Sequence, residues 1–201
     1  SAGVCAVSGL ILLTAKPDAI KPTPVSKKGG IVATAKENRK QLLTLGIGSA
    51  ILGAVRTTRQ VGLPLWALLI SLSPEETSLY IGLAGIIDFA LFYTSGQLMD
   101  RYGRFWAAVP PLIGLSVLHV LVFAVHDGTG FLLLCSLMAL ANGLGSGIIL
   151  TIGADLAPAG ARNEFLATYR LITDFGVAAA PPLLSAIASV STLAISMASF
   201  G

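Results

Sequence analysis

Five apolar stretches, each about long enough to cross a bilayer, follow one another with only short polar links between them, and that succession constrains this chain more than any single residue. One link stands out. Residues 96–105 read Gly-Gln-Leu-Met-Asp-Arg-Tyr-Gly-Arg-Phe between two of the stretches. Asp100, Arg101 and Arg104 cannot lie in hydrocarbon without a large penalty, so this segment is expected to be a tight turn at a membrane surface. Gly96 and Gly103 suit such a turn, one by allowing close helix approach and the other by accepting an unusual backbone angle. Asp100 is placed to cap the helix that follows.

Composition agrees. Of 201 residues, 54% are hydrophobic and 11% charged, with a mean hydropathy of +0.82. Soluble domains carry about a quarter charged residues. An all-α integral membrane protein is therefore expected, and nucleic acid is excluded as a partner. Cys5 and Cys135 both lie in apolar stretches without metal-ligand spacing, which implies neither a disulfide nor a metal. No nucleotide-binding loop, metal cluster or nucleophile constellation is present, so neither enzyme chemistry nor a cofactor is expected.

In chain order, residues 1–15 form an apolar run shorter than a full span, read as the end of a severed one. Residues 16–41 are a basic, flexible linker: seven lysines and arginines stand between Lys16 and Lys40, with Pro17, Pro22, Pro24, Gly29 and Gly30 breaking regular structure. Complete spans are expected at about 42–72, 79–99, 105–125, 129–154 and 165–187, with a sixth beginning near 188 and cut off. Lysine plus arginine in successive links number seven, none, two, none and one, the alternation of an antiparallel bundle whose basic linker is cytoplasmic. The 96–105 turn and the 155–164 turn then lie on the cytoplasmic side as well.

Gly-x-Leu-x-Asp-Arg-x-Gly-Arg, carried here by Gly96, Leu98, Asp100, Arg101, Gly103 and Arg104, closely resembles the signature loop of the major facilitator superfamily, the twelve-helix secondary transporters. A long basic loop preceded by a span and followed by about six resembles the middle loop and second half of such a transporter. The resemblance implies a facilitator-type helical bundle, here a fragment: residues 1–15 end the sixth span, and residues 42–201 hold the second six-helix half, truncated in its last span. It also implies that the first half is missing and is a partner of this one. Asp100 and Arg104 would then act as a latch that locks and releases the cytoplasmic helix ends, with Asp155 as partner of Arg104. Asn142-Gly143-Leu144-Gly145 resembles the family's fourth-span motif in a decayed form, with Ala139 where an arginine and Asn142 where a glutamine would stand. Gly176 to Pro182 resembles the antiporters' glycine-proline motif, with alanines in place of glycines.

Five charges fall inside spans: Arg56, Arg59, Asp88, Arg170 and Asp174. Each costs about 2.5–3.5 kcal/mol at mid-membrane even on the lenient insertion scale, so they are expected to face one another or a polar cavity. Asp88 is the candidate for taking up and releasing a proton, or else a plain counter-ion for Arg56 or Arg59. Those two arginines, three apart on one face, suit either an anionic group on a substrate or structural pairing. Arg170 and Asp174, four apart, can bridge locally. Gly143 and Gly147 have the spacing of close helix packing. His119 and His126 are expected to be packing residues, and Trp66 and Trp106 interfacial anchors. The function expected is secondary transport of a small organic solute by alternating access in the cell membrane, led by proton-coupled efflux. Uptake of a sugar or organic anion by symport, or a non-transporting receptor on the same scaffold, are the alternatives.

Overall fold

The computed structural model describes residues 30–190 together with Ile195, Met197 and Ser199. The apolar run 1–15 and most of the linker lie outside the described residues, as does most of the last apolar stretch. Helical order begins at Ile31, inside the segment expected to be flexible. Once Gly29 and Gly30 are passed, no glycine or proline stands before Gly46, and helical order is interrupted by a turn at Asn38.

Helix α1 (Ile31–Glu37) and the single turn α2 (Arg39–Gln41) lead through a π turn, Leu42–Gly46, directly into α3 (Ile47–Leu69). Helix α4 (Pro74–Tyr102) opens with a full capping box, Ser73 and Glu76 satisfying each other's backbone N–H groups, and with Pro74 in the first turn. It runs through Gly96 to Tyr102, beyond the expected end of that span. The turn is therefore a single-residue break at Gly103, whose φ of 88° is accessible to glycine at little cost. Asp100 sits in the last turn of α4 and does not cap α5 (Arg104–Leu121), which is extended by a 3-10 turn at Val122–Ala124. Gly96 has no atom within 4 Å of where its Cβ would be, so it mediates no close helix approach.

Asp127 caps α6 (Gly128–Leu144), accepting from the Gly130 N–H. The expected continuous fourth span is broken at Gly145–Gly147 and resumes as α7 (Ile148–Leu156), because Gly147 adopts the left-handed conformation with φ 80°. Helix α8 (Arg162–Val190) continues through Pro181 and Pro182.

Among the described residues there is no strand. α3 packs along α8, α4 along α6, and α5 against both α4 and α6. The largest core cluster, with Trp66, Leu115, Phe131, Met138 and Leu184, lies toward the end away from Gly103, and a second, with Leu52, Met99, Ala107 and Ile148, lies toward the Gly103 end. Among the described residues, four segments are long and apolar enough to cross a membrane: Pro74–Tyr102, Arg104–Ala124, Gly128–Leu156 and Arg162–Ser189. The expected first span, α3, is long enough but is not among them, since the run from Arg56 to Gln60 makes its middle polar. Large apolar side chains including Ile86, Phe89, Phe92, Leu171 and Phe175 face outward, as lipid-contacting surface does.

Candidate functional site

Three helices bring a polar network into the middle of the bundle. From α3, Arg59 Nη2 donates to Asp88 Oδ2 of α4 at 2.5 Å, and Arg59 Nη1 donates to the Met138 carbonyl of α6 at 3.0 Å. Asn142 Nδ2, also from α6, donates to the second carboxylate oxygen of Asp88 at 2.8 Å. Asp88 is thus held from two sides. A carboxylate taken out of water needs such partners, and this one has a guanidinium and an amide. The Arg59 and Asp88 side chains are 14% and 20% exposed, so the pair is mostly shielded.

Arg56, three residues earlier on the same face of α3, goes elsewhere. Its Nη2 donates at 2.7 Å to the Gly145 carbonyl, one of the groups released where α6 breaks. The neighbouring Ser146 carbonyl is taken by Ser95 Oγ of α4, also at 2.7 Å. Both acceptors lie within the membrane-spanning stretch, where an unpaired backbone group is costly, so side chains of α3 and α4 hold the break together. The glycines contribute differently. A Cβ at Gly143 would meet Leu91 Cβ at 2.8 Å, and one at Gly145 would meet the Ala107 carbonyl oxygen at 2.9 Å, while Gly147 supplies the backbone angle. Close packing therefore falls at Gly143 and Gly145 rather than along a continuous small-residue stripe.

Of the five expected intramembrane charges, Arg56, Arg59 and Asp88 gather here. Arg170 and Asp174 do not join them. They make a local contact, Nε to Oδ2 at 3.7 Å, on α8, with side chains 73% and 65% exposed. The tight crossing of α3 and α8 turns this face of α8 away from the network: Gly53 and Gly176 bring the two helices so close that a Cβ at Gly176 would press into the Ala50 carbonyl.

At the Gly103 end, Arg104 Nε donates to Asp155 Oδ2 at 2.7 Å, joining the start of α5 to the end of α7. Arg104 Nη1 also lies 3.6 Å from Asp100 Oδ1, one turn back across the helix break. Arg101 takes no part, its guanidinium lying over the Tyr102 ring at 5.5 Å. Above this ion pair is an apolar cavity of about 340 Å³, walled by Leu45, Phe105, Ala108, Val109 and Ile152.

Sequence reasoning missed several polar contacts that shape the site. Asn142 was read as a decayed motif position, and Ser95 was not singled out. Ser49 Oγ shares a hydrogen bond with Tyr169 OH at 2.5 Å, and that hydroxyl also donates to the Ile149 carbonyl at 2.9 Å, tying α3, α8 and α7. The available signal was the presence of hydrogen-bonding side chains inside apolar spans, where each must find a partner. His119 is a buried packing residue whose Nδ1 bonds the Leu115 carbonyl at 2.7 Å. Trp66 is not an interfacial anchor: it is buried, and its indole N–H donates to the Val125 carbonyl at 3.1 Å. Trp106 is exposed beside Phe105. Among the described residues, no three or more His, Cys, Asp or Glu side chains stand together as metal ligands would.

Comparison with known proteins adds one finding. The family model described as Major Facilitator Superfamily matches residues 1–181. No curated protein and no solved structure matches the chain.

Proposed function

The chain belongs to the major facilitator superfamily of membrane transporters, and from that premise we propose that it moves a small organic solute by alternating access, driven by proton exchange in the direction of efflux. The observation that carries this reading is the Arg59–Asp88–Asn142 network, which links α3, α4 and α6 through one carboxylate. Such a network has two arrangements. With Asp88 ionised, Arg59 is held against α4; a proton on Asp88 removes the charge that holds it and frees α3 to move relative to α4 and α6.

The Arg104–Asp155 pair is the latch at the cytoplasmic surface, supported by its bridging of α5 and α7 and by the bias of lysine and arginine toward this side. The helices from α3 onward belong to the second six-helix half of a cell-membrane transporter, truncated in its last span, the first half packing against them. The order of spans and the basic segment before α3 support that placement.

The test is proton movement in proteoliposomes on adding candidate organic solutes, comparing the native protein with Asp88→Asn. Movement lost in the variant, with its expression and folding intact, is the expected result. Equal movement in both would remove Asp88 from the coupling path, and no movement in either would refute proton coupling.

A further inference from the structure

The intramembrane network holds two guanidinium groups against one carboxylate. Arg59 takes Asp88. The other carboxylates of the described residues lie at helix ends or links or, for Asp174, beside Arg170 on the outer face. Arg56 is close enough to feel both Asp88 and Arg59, yet among the described residues it hydrogen-bonds a neutral carbonyl, that of Gly145. Its Nε–H is buried with no partner among the described residues. A guanidinium has five N–H donors and keeps its charge, whereas holding a single backbone carbonyl needs only a neutral amide. Among the described residues no second carboxylate faces it, so Arg56 carries a positive charge that these residues do not neutralise.

The space one turn back along α3 is apolar. A cavity of about 170 Å³ lined by Gly48, Leu52, Ala108, Val109 and Leu112 reaches Leu52, one helical turn from Arg56. It shares Leu45, Ala108, Val109 and Ile152 with the larger cavity at the Arg104–Asp155 pair, so the apolar lining is continuous from that pair to Leu52. One surplus positive charge matches a monoanion, and the planar fork of guanidinium matches a carboxylate.

Resting on the transporter reading, we infer that the solute is an apolar organic monocarboxylate and that Arg56, not Arg59, receives its carboxylate. Arg59 is the carboxylate partner within the protein, and Arg56 the one for the solute.

The test is thermal unfolding of the purified full chain in detergent, with sodium benzoate and neutral benzamide as probes at equal ionic strength. Benzoate raises the Tm of the native protein and benzamide does not. Arg56→Gln, which keeps a donor for the Gly145 carbonyl, is expected to melt no lower than the native protein without probe and to bind benzoate about 10- to 100-fold more weakly. Arg56→Lys retains the preference for benzoate over benzamide, and so does the charge-balanced double variant Arg59→Met/Asp88→Asn. A lower Tm for probe-free Arg56→Gln would make Arg56 a structural strut and overturn the inference. So would equal response to benzoate and benzamide, or equal benzoate binding by the native protein and Arg56→Gln. These are binding outcomes; the transport reading fails separately, if proteoliposomes move neither proton nor solute.

Discussion

The Arg59–Asp88 pair makes a quantitative prediction through a double-mutant cycle. With side chains only 14% and 20% exposed, the pair behaves as a buried one, and removing one partner of such a pair costs about 3–5 kcal/mol. The remaining contacts put each single variant at the lower end. In Arg59→Met the carboxylate keeps Asn142 at 2.8 Å, and in Asp88→Asn the guanidinium keeps the Met138 carbonyl at 3.0 Å. The expected loss is about 3 kcal/mol for either. The double variant strands no charge, and the amide introduced at position 88 can still meet Asn142, so its loss should be about 1 kcal/mol, that of one neutral hydrogen bond. The interaction energy is then about 5 kcal/mol, well above the ~0.5 kcal/mol scatter of independent sites. Cys135 offers the assay. It is a free thiol, 1% exposed, so a thiol-reactive dye labels it on unfolding, with Cys5→Ser as background. Unfolding across an SDS titration in mixed micelles would give the four free energies. If the two single losses simply add in the double variant, the pair does not share its stabilisation and the network is wrong.

At the Gly103 end, Arg104→Ala and Asp155→Asn should slow transport by similar factors while leaving solute affinity nearly unchanged, and the exchanged pair Arg104→Asp/Asp155→Arg should recover part of the rate. Asp100→Asn should do less, since its contact with Arg104 is 3.6 Å against 2.7 Å for Asp155; a pure affinity loss in these variants would count against a latch. In the broken helix, Gly147→Ala forces a Cβ into a left-handed residue and should cost about 1–2 kcal/mol by the same unfolding assay. An unchanged midpoint would mean that α6 and α7 can join as one regular helix.

Much of the architecture was legible in the residues because hydrophobic length and polar punctuation are local properties. The helix start at Asp127 and the break at Gly103 follow from capping and glycine chemistry within a few residues, and so does the start at Ser73–Pro74, although that span was expected only from residue 79. The Arg104–Asp155 pair was also anticipated, from the resemblance of the 96–105 segment to a known loop. The site was less legible. Arg56 and Arg59 share a face and a charge, and nothing local says which of them meets Asp88. Asn142 looked like a motif eroded from glutamine, yet its amide holds Asp88.

The sequence alone determined a helical membrane protein, where most of its spans lie, which side chains must find polar partners, and the family resemblance. Only the tertiary structure decided who those partners are. Burial of apolar surface is non-directional, so it drives the spans together without choosing their rotations. Hydrogen bonds and ion pairs are directional and short-ranged, and the close glycine crossing of α3 on α8 and the break in α6 set which arginine reaches the carboxylate and which reaches a backbone carbonyl.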